Sequence, residues 1–199
     1  MAVIGTILLL AILIGFPFFF TYIESRQGAW LNDGLLSRIP AMDFSVPIFL
    51  IIWLMSAWIL IRCIQSPDIF ILFLTCFILL TLSRIATITL IPLEPPAGLI
   101  PLKDPLTSFF YGGTAIFITK DLFYSGHTST QFLIFLCLTR KTEKRVALLT
   151  SILIGIMVLV QHVHYTIDVL AAFPFTYLIY LLGKKIVRPA LNIHAMPGA

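Results

Sequence analysis

The stretch FSVPIFLIIWLMSAWILIRCI, residues 44–64, carries no charged side chain before Arg62. A helix needs about 20 predominantly apolar residues to cross the hydrocarbon core of a bilayer, and this stretch has that length. Two further apolar stretches of comparable length lie at residues 3–22 and 69–92. These three runs predict membrane-spanning helices and so decide the fold class.

The composition of the whole chain leads to the same conclusion. The 199 residues are 59% hydrophobic and 11% charged, with a mean hydropathy of +1.03. A soluble domain carries about 25% charged residues, so this chain has too little polar surface to be one. The three cysteines, an odd number, exclude a framework in which every cysteine is paired, and they are interpreted as packing thiols. They are Cys63, Cys76 and Cys137.

Three more helices are predicted in the second half of the chain. The fourth is short for a membrane span unless it begins inside SGHTST, residues 125–130. We therefore expect one all-α domain over residues 1–199, a polytopic bundle of six transmembrane helices. The predicted helices cover residues 3–22, 44–64, 69–92, 127–139, 146–163 and 165–183.

The placement of lysine and arginine predicts the orientation of the bundle. Basic residues cluster in TRKTEKR, residues 139–145, and again in KKIVR, residues 184–188. Such clusters mark the cytoplasmic side of a membrane protein. With six helices, both termini are then cytoplasmic, and residues 97–120 and the turn before the last helix face outward. The net charge of +4 is interpreted in this way, and no nucleic-acid partner is expected.

QHVHYTIDVL, residues 161–170, places an acid inside the last apolar stretch. Asp168 follows His164 by four residues, a spacing that puts both side chains on one face of a helix. A carboxylate held there fixes the tautomer of the imidazole and stabilises its cationic form. Ionisable residues within a membrane indicate function, so we predict that His164 is a nucleophile oriented by Asp168.

A second histidine follows a small-residue motif at the start of the predicted fourth helix. His127 comes after Ser125 and Gly126, and glycine lets the backbone approach a ligand closely. The N–H groups that open a helix bind anions. Together with His164 and Asp168, this arrangement predicts phosphoryl or phosphodiester transfer, in which His127 protonates the leaving alcohol.

The pair formed by SGHT (125–128) and HYTIDV (164–169), whose histidines are 37 residues apart, resembles the sphingomyelin synthase group of the type 2 phosphatidic acid phosphatase superfamily. LSRIATITLIPLEPP, residues 82–96, is more weakly similar to that group. The resemblance implies a six-helix fold with an active site on the periplasmic, extracellular or lumenal side. It also implies a catalytic triad of His127, His164 and Asp168.

The resemblance further implies that a phospho-head-group moves from a glycerophospholipid to a lipid alcohol such as ceramide or diacylglycerol. No cofactor and no metal are expected, and a homo-oligomer is left open. Residues expected to bind substrate are the motif's neighbours and the outward cations. They are Ser125, Gly126, Thr128, Tyr165, Arg84, Lys103 and Lys120.

The chain departs from the phosphatases of this superfamily at three places. It has no Lys-x6-Arg-Pro motif, Tyr124 replaces the proline before Ser-Gly-His, and Val158 stands where an arginine precedes the last motif. The absence of this basic clamp favours a transferase, and it leaves Arg84, Lys103 and Lys120 as the cations available for phosphate.

Other interpretations of the same residues remain open. Asp168 is also suited to cap a helix, because acids stabilise a helix's first turn. His162 lies six residues from Asp168, on a different helix face from His164, and is interpreted as structural. The three histidines with Asp168 have the numbers for a zinc site, but His-x-His at a helix end does not converge readily.

Two other classes of function compete with the transferase. A lipid phosphate phosphatase or a phospholipase C-like hydrolase would use the same triad with water as the acceptor. A transporter or a scaffold would need no triad, but its intramembrane charges would be spread along several helices. The sequence gathers them at one membrane face, which favours a catalytic site.

Overall fold

The structure is a computed structural model that describes residues 2–103 and 118–189. This part of the chain contains six α-helices and no β-strand, so the all-α prediction is confirmed. A single 3-10 turn spans Leu36–Arg38. The helices are α1 (Ala2–Ser25), α2 (Ser45–Gln65), α3 (Pro67–Leu90), α4 (Gly126–Cys137), α5 (Lys141–Val160) and α6 (Thr166–Val187).

Four helices of the described residues, α1, α2, α3 and α6, are long and apolar enough to cross a membrane. These helices indicate that the chain is an integral membrane protein. The 12 residues of α4 span about 18 Å at 1.5 Å per residue, less than the thickness of a hydrocarbon core. Most of the side chains of α4 are buried by the surrounding helices, which hold it inside the bundle.

The start of α5 differs from the prediction. The helix begins at Lys141, five residues before the expected position, so Lys141, Lys144 and Arg145 lie in its first turns and Arg140 is its N-cap residue. Glu143 in that first turn is buried and pairs with Arg62 of α2, Nε to Oε2 3.2 Å. This long-range ion pair keeps the charged segment folded against the bundle, which is why the helix extends into it.

The turn between α5 and α6 also differs from the prediction. The expected helices ran to residue 163 and resumed at residue 165, whereas α5 ends at Val160 and α6 begins at Thr166. His162 within the turn has a φ of 56°, in the left-handed region that interrupts a right-handed helix. The residues of the QHVH segment therefore form a tight turn between the two helices.

The segments beside the N-terminus of α6 are tied to that helix and to each other. Asp33, in the segment between α1 and α2, accepts hydrogen bonds from the backbone N–H and the hydroxyl of Thr166, at 2.6 and 3.0 Å. Burial tends to raise the pKa of Asp33, but these bonds and those from Leu36 and Leu35 hold it below its usual value. An isolated bridge joins Ala29 to Leu93. These contacts fix the N-terminus of α6, where the candidate site lies.

The α3–α6 contact depends on a residue without a side chain. A Cβ placed on Gly183 would overlap Sγ of the buried Cys76, so only glycine allows the two helices to approach this closely. Small residues have this role in membrane bundles. Gly15 of α1, by contrast, has open space where its Cβ would be.

We predict that Gly183→Ala lowers the free energy of unfolding by about 1–3 kcal/mol, the usual penalty of overpacking. Gly15→Ala is the matched control, and it should leave stability unchanged or raise it by up to about 1 kcal/mol through helix propensity. Thermal unfolding midpoints in detergent micelles measure both. Equal midpoints for the two variants would contradict the packing described for α3 and α6.

Candidate active site

His164 and Asp168 meet at the N-terminus of α6, but not as two residues of one helix. His164 precedes the helix, and the side chain of Asp168 folds back to accept a hydrogen bond from the backbone N–H of Tyr165 at 3.0 Å. This capping contact brings the Asp168 carboxylate to 3.5 Å from Nδ1 of His164. The expectation that both lie on one helix face is therefore wrong, although the two side chains do come together.

The His164–Asp168 pair is almost completely shielded from solvent. The side chains are 2% and 0% exposed, respectively. At 3.5 Å the two groups are within ion-pairing distance, but Nδ1 of His164 and Oδ1 of Asp168 have no aligned hydrogen bond to the described residues. Long contacts of this kind are common in catalytic sites without substrate and tighten when the substrate binds.

His127 lies across from His164 at the first turn of α4, with ring centroids 6.2 Å apart. The backbone explains this proximity, since Ser125 N–H donates to the carbonyl of Asp168 at 3.1 Å and so joins the start of α4 to the first turn of α6. Phe49 of α2 faces the His127 ring edge-on at 6.4 Å. The two histidines thus approach one another from two different elements, an arrangement that a nucleophile and a proton donor could use.

Arg84 of α3 reaches the same place. Its Nε donates to the carbonyl of Tyr124 at 2.9 Å, and its Nη2 lies 2.6 Å from Oδ1 of Asp121. A Cβ on Gly126 would overlap the guanidinium, so the glycine of the SGHT motif is what lets the cation approach the N-terminus of α4. Of the three cations expected to bind phosphate, Arg84 is the one brought to the histidines.

The N-terminus of α4 and Arg84 together form an anion-binding arrangement. Ser125 is the N-cap residue of α4, and its Oγ accepts from the N–H of Thr128 at 3.4 Å and donates to the Thr128 hydroxyl at 3.1 Å. Gly126, the first residue of the helix, lies against the guanidinium. A helix N-terminus and a cation both stabilise a negative group.

Asp121 is a site residue that the sequence did not indicate. Burial tends to raise its pKa, but the positive charge and hydrogen bond of Arg84 hold the pKa below its ordinary value, and His164 and His127 act in the same direction. The carboxylate therefore carries a charge that orients Arg84. In the sequence, Asp121 is only an acid four residues before Ser125. Its position indicates a role only once Arg84 is known to lie beside it.

Lys120 and Lys103 are not assembled with the histidines. Lys120 Nζ pairs with Oε1 of Glu94 at 3.0 Å. A bond from Gly28 N–H and the bond from Lys120 lower the pKa of Glu94. The side chain of Lys103 is exposed, and its backbone N–H donates to the Ser45 hydroxyl at 3.2 Å.

Tyr165 and His162 anchor the loops beside the N-terminus of α6. The Tyr165 hydroxyl donates to the Glu94 carbonyl at 3.0 Å and accepts from Leu31 N–H at 3.3 Å, so the buried ring anchors two loops. The ring nitrogens of His162 face the carbonyls of Ala97, at 2.8 Å, and of Ile39, at 2.9 Å. Across residues 2–103 and 118–189, no three His, Cys, Asp or Glu side chains converge with metal-binding geometry.

The comparisons with known proteins concern the second half of the chain. Residues 120–185 match the family model described as PAP2 superfamily C-terminal. This stretch is about a third of the chain and contains His127, His164 and Asp168, whereas Arg84 lies outside it. No curated protein and no solved structure matches the chain. The match supports a relation to the type 2 phosphatidic acid phosphatase superfamily and suggests phosphatase-type lipid chemistry.

Proposed function

We propose that this protein is a membrane phosphotransferase related to the sphingomyelin synthase group. It moves a phospho-head-group from a glycerophospholipid to a ceramide- or diacylglycerol-like alcohol, through a phosphohistidine. The observation that carries the proposal is the convergence of four groups: the Arg84 guanidinium, the N-terminus of α4, and the imidazoles of His127 and His164. A phosphodiester needs this combination of anion binding, nucleophile and proton donor.

In the first half of the reaction, Nε2 of His164 attacks the phosphorus of the donor lipid. Asp168 faces Nδ1 of the same ring, which holds the proton there and leaves the Nε2 lone pair free. A nitrogen–phosphorus bond forms while the bond between phosphorus and the diacylglycerol oxygen breaks. His127 gives its proton to that oxygen, so diacylglycerol leaves as a neutral alcohol.

In the second half, the hydroxyl of the acceptor lipid takes the position that diacylglycerol left. Its oxygen attacks phosphorus while its proton passes to His127, and the nitrogen–phosphorus bond breaks. His164 and His127 are then restored to their starting states. Arg84 and the N–H groups of α4 stabilise the negative charge on the phosphoryl oxygens in both halves. Asp121 keeps the guanidinium oriented through its contact at 2.6 Å.

A lipid phosphate phosphatase or a phospholipase C-like hydrolase is the second candidate, and the family match favours it because it suggests phosphatase-type chemistry. Water would then replace the lipid alcohol in the second half of the reaction. The burial of His164 and Asp168 supports transfer to a lipid instead, since a shielded phosphohistidine is protected from hydrolysis. Because these ionisable side chains are buried together at one place and not spread along several helices, they also support an enzyme over a transporter or scaffold.

We also propose that the site faces the outer side of the membrane and that both termini are cytoplasmic. The basic first turns of α5 support this orientation. In a chain without its natural cysteines, single cysteines at the exposed positions Lys103 and Lys141 should react with an impermeant thiol reagent from opposite sides. We expect Lys141→Cys to react from the cytoplasmic side. Reaction of both from one side would contradict the orientation.

The function is tested with purified protein in vesicles of mixed glycerophospholipids, with and without ceramide or diacylglycerol, and with products identified by mass spectrometry. We predict a new phospholipid that carries the donor's head group on the added alcohol.

His164→Ala should abolish the formation of this product. Asp168→Asn should slow it by roughly 10²–10⁴-fold, because the amide does not stabilise the imidazolium. His127→Ala should be partly rescued by a donor with a more acidic leaving alcohol.

His162→Ala is the matched control for the histidine variants. It removes contacts to Ala97 and Ile39 and should lower thermal stability, yet the protein that remains folded should form product at nearly the wild-type rate. Release of free head-group phosphate or phosphoalcohol, independent of added lipid alcohol, would identify the hydrolase instead. Loss of activity in His162→Ala together with an active His164→Ala would contradict the assignment of the nucleophile.

A further inference from the structure

A buried amide lies in the interior of the bundle without a partner. Gln131 of α4 is 0% exposed, and neither its Nε2 nor its Oε1 has a hydrogen-bond partner among the described residues. An amide left unpaired in an apolar environment costs about 1–3 kcal/mol by protein mutational data. Within a membrane bundle, a polar side chain kept at such a cost indicates a function.

Gln131 lies one helical turn after His127 on the same helix. Residues four apart share a face of a helix, and helical side chains generally lean toward the N-terminus, so Gln131 lies on the His127 face of α4, one turn away. The Nδ1 atom of His127 is likewise buried and has no hydrogen-bond partner among the described residues. The two unpaired groups are complementary, an N–H donor on the imidazole and a carbonyl acceptor on the amide.

We propose that Gln131 is a positioning residue for His127. In the working enzyme, its Oε1 accepts a hydrogen bond from Nδ1–H of His127. This bond fixes the tautomer, so Nε2 is the atom that gives and takes the proton of the lipid alcohol. Side chains four residues apart on a helix are neighbours that can interact, and the catalytic role of His127 rests on the proposed function.

Each histidine has a neighbour suited to its proposed role, a neutral amide for His127 and a carboxylate for His164. Asp168 beside His164 stabilises a positive ring, which a phosphohistidine requires. His127 must instead lose and regain a proton in each cycle, and a neutral partner orients the ring without trapping it in the cationic form. The charged groups that act on His127 are Arg84 from α3, Asp121 from the segment before α4, and His164 from the turn before α6. From α2, Phe49 presents no charge.

The test uses the full-length chain in detergent micelles with ¹⁵N-labelled histidine. The signals of His127 are identified by their loss in His127→Ala. In the wild-type protein we expect the neutral ring to carry its proton on Nδ1. Gln131→Leu, an apolar change that the bundle interior accepts, should move the proton toward Nε2. If Gln131→Leu leaves the His127 signals unchanged, the proposal is overturned, whatever lipid activity the protein has.

Thr176→Val is the matched control. The Thr176 hydroxyl, on α6, is also fully buried and without a partner, and valine has nearly the same shape. It should leave both the His127 signals and the rate unchanged. A change in the His127 signals as large as that of Gln131→Leu would overturn the proposal, because it would attribute the effect to general repacking.

Kinetics give a second measurement that a merely structural residue would not change. Gln131→Leu should lower the transfer rate by roughly 10–10²-fold, as loss of an orienting partner does for a bound histidine. Gln131→Glu should keep the protein active and move the alkaline limb of its pH–rate profile upward by roughly one unit or more, because a carboxylate stabilises the protonated ring. An unshifted profile in Gln131→Glu counts against the proposal.

These outcomes separate the positioning role from the proposed function. If the signals respond to Gln131→Leu but no lipid product forms with any donor, Gln131 orients His127 and the transferase proposal fails. If lipid product forms while the signals do not respond, the transferase stands and the role of Gln131 fails.

Discussion

The backbone hydrogen bond from Ser125 N–H to the Asp168 carbonyl, at 3.1 Å, holds the site together. It joins the first residues of α4 to the first turn of α6, which brings together two motifs that are far apart in the chain. The histidine rings face each other at 6.2 Å only because these two helix ends are fixed. Asp33, from the segment between α1 and α2, reinforces the same place by accepting a hydrogen bond from Thr166. The N-terminus of α6 is thus held by several contacts, as the proposed catalytic role requires.

The close approach of Arg84 depends on the same helix end. Because Gly126 has no side chain, the guanidinium lies against the N-terminus of α4, and Asp121 balances and orients its charge. A bilayer interior makes each of these polar groups costly, so they are gathered at one end of the bundle, where they satisfy one another. In the proposed function, this arginine from α3 takes the place of the phosphatase-type basic clamp that the sequence lacks.

The sequence predicted α1, α2, α3 and α6 because apolar runs of membrane length have few other structures open to them. It also indicated His127, His164 and Asp168 through their spacing. It could not predict how His164 and Asp168 meet, because their contact depends on the backbone of His162 in the turn and on the capping contact of Asp168. Asp121 and the pairing of Lys120 with Glu94 were missed for a similar reason, since both depend on partners distant in the chain.

The central claim is that His164 carries the phospho-head-group, and trapping this intermediate tests it most directly. Protein mixed briefly with a radiolabelled head-group donor, without acceptor, should be quenched in alkali, digested and analysed by mass spectrometry. The account predicts label on the peptide that contains His164, stable in alkali and lost in acid, and absent from His164→Ala. Label on His127, or transfer without any labelled histidine, would contradict it.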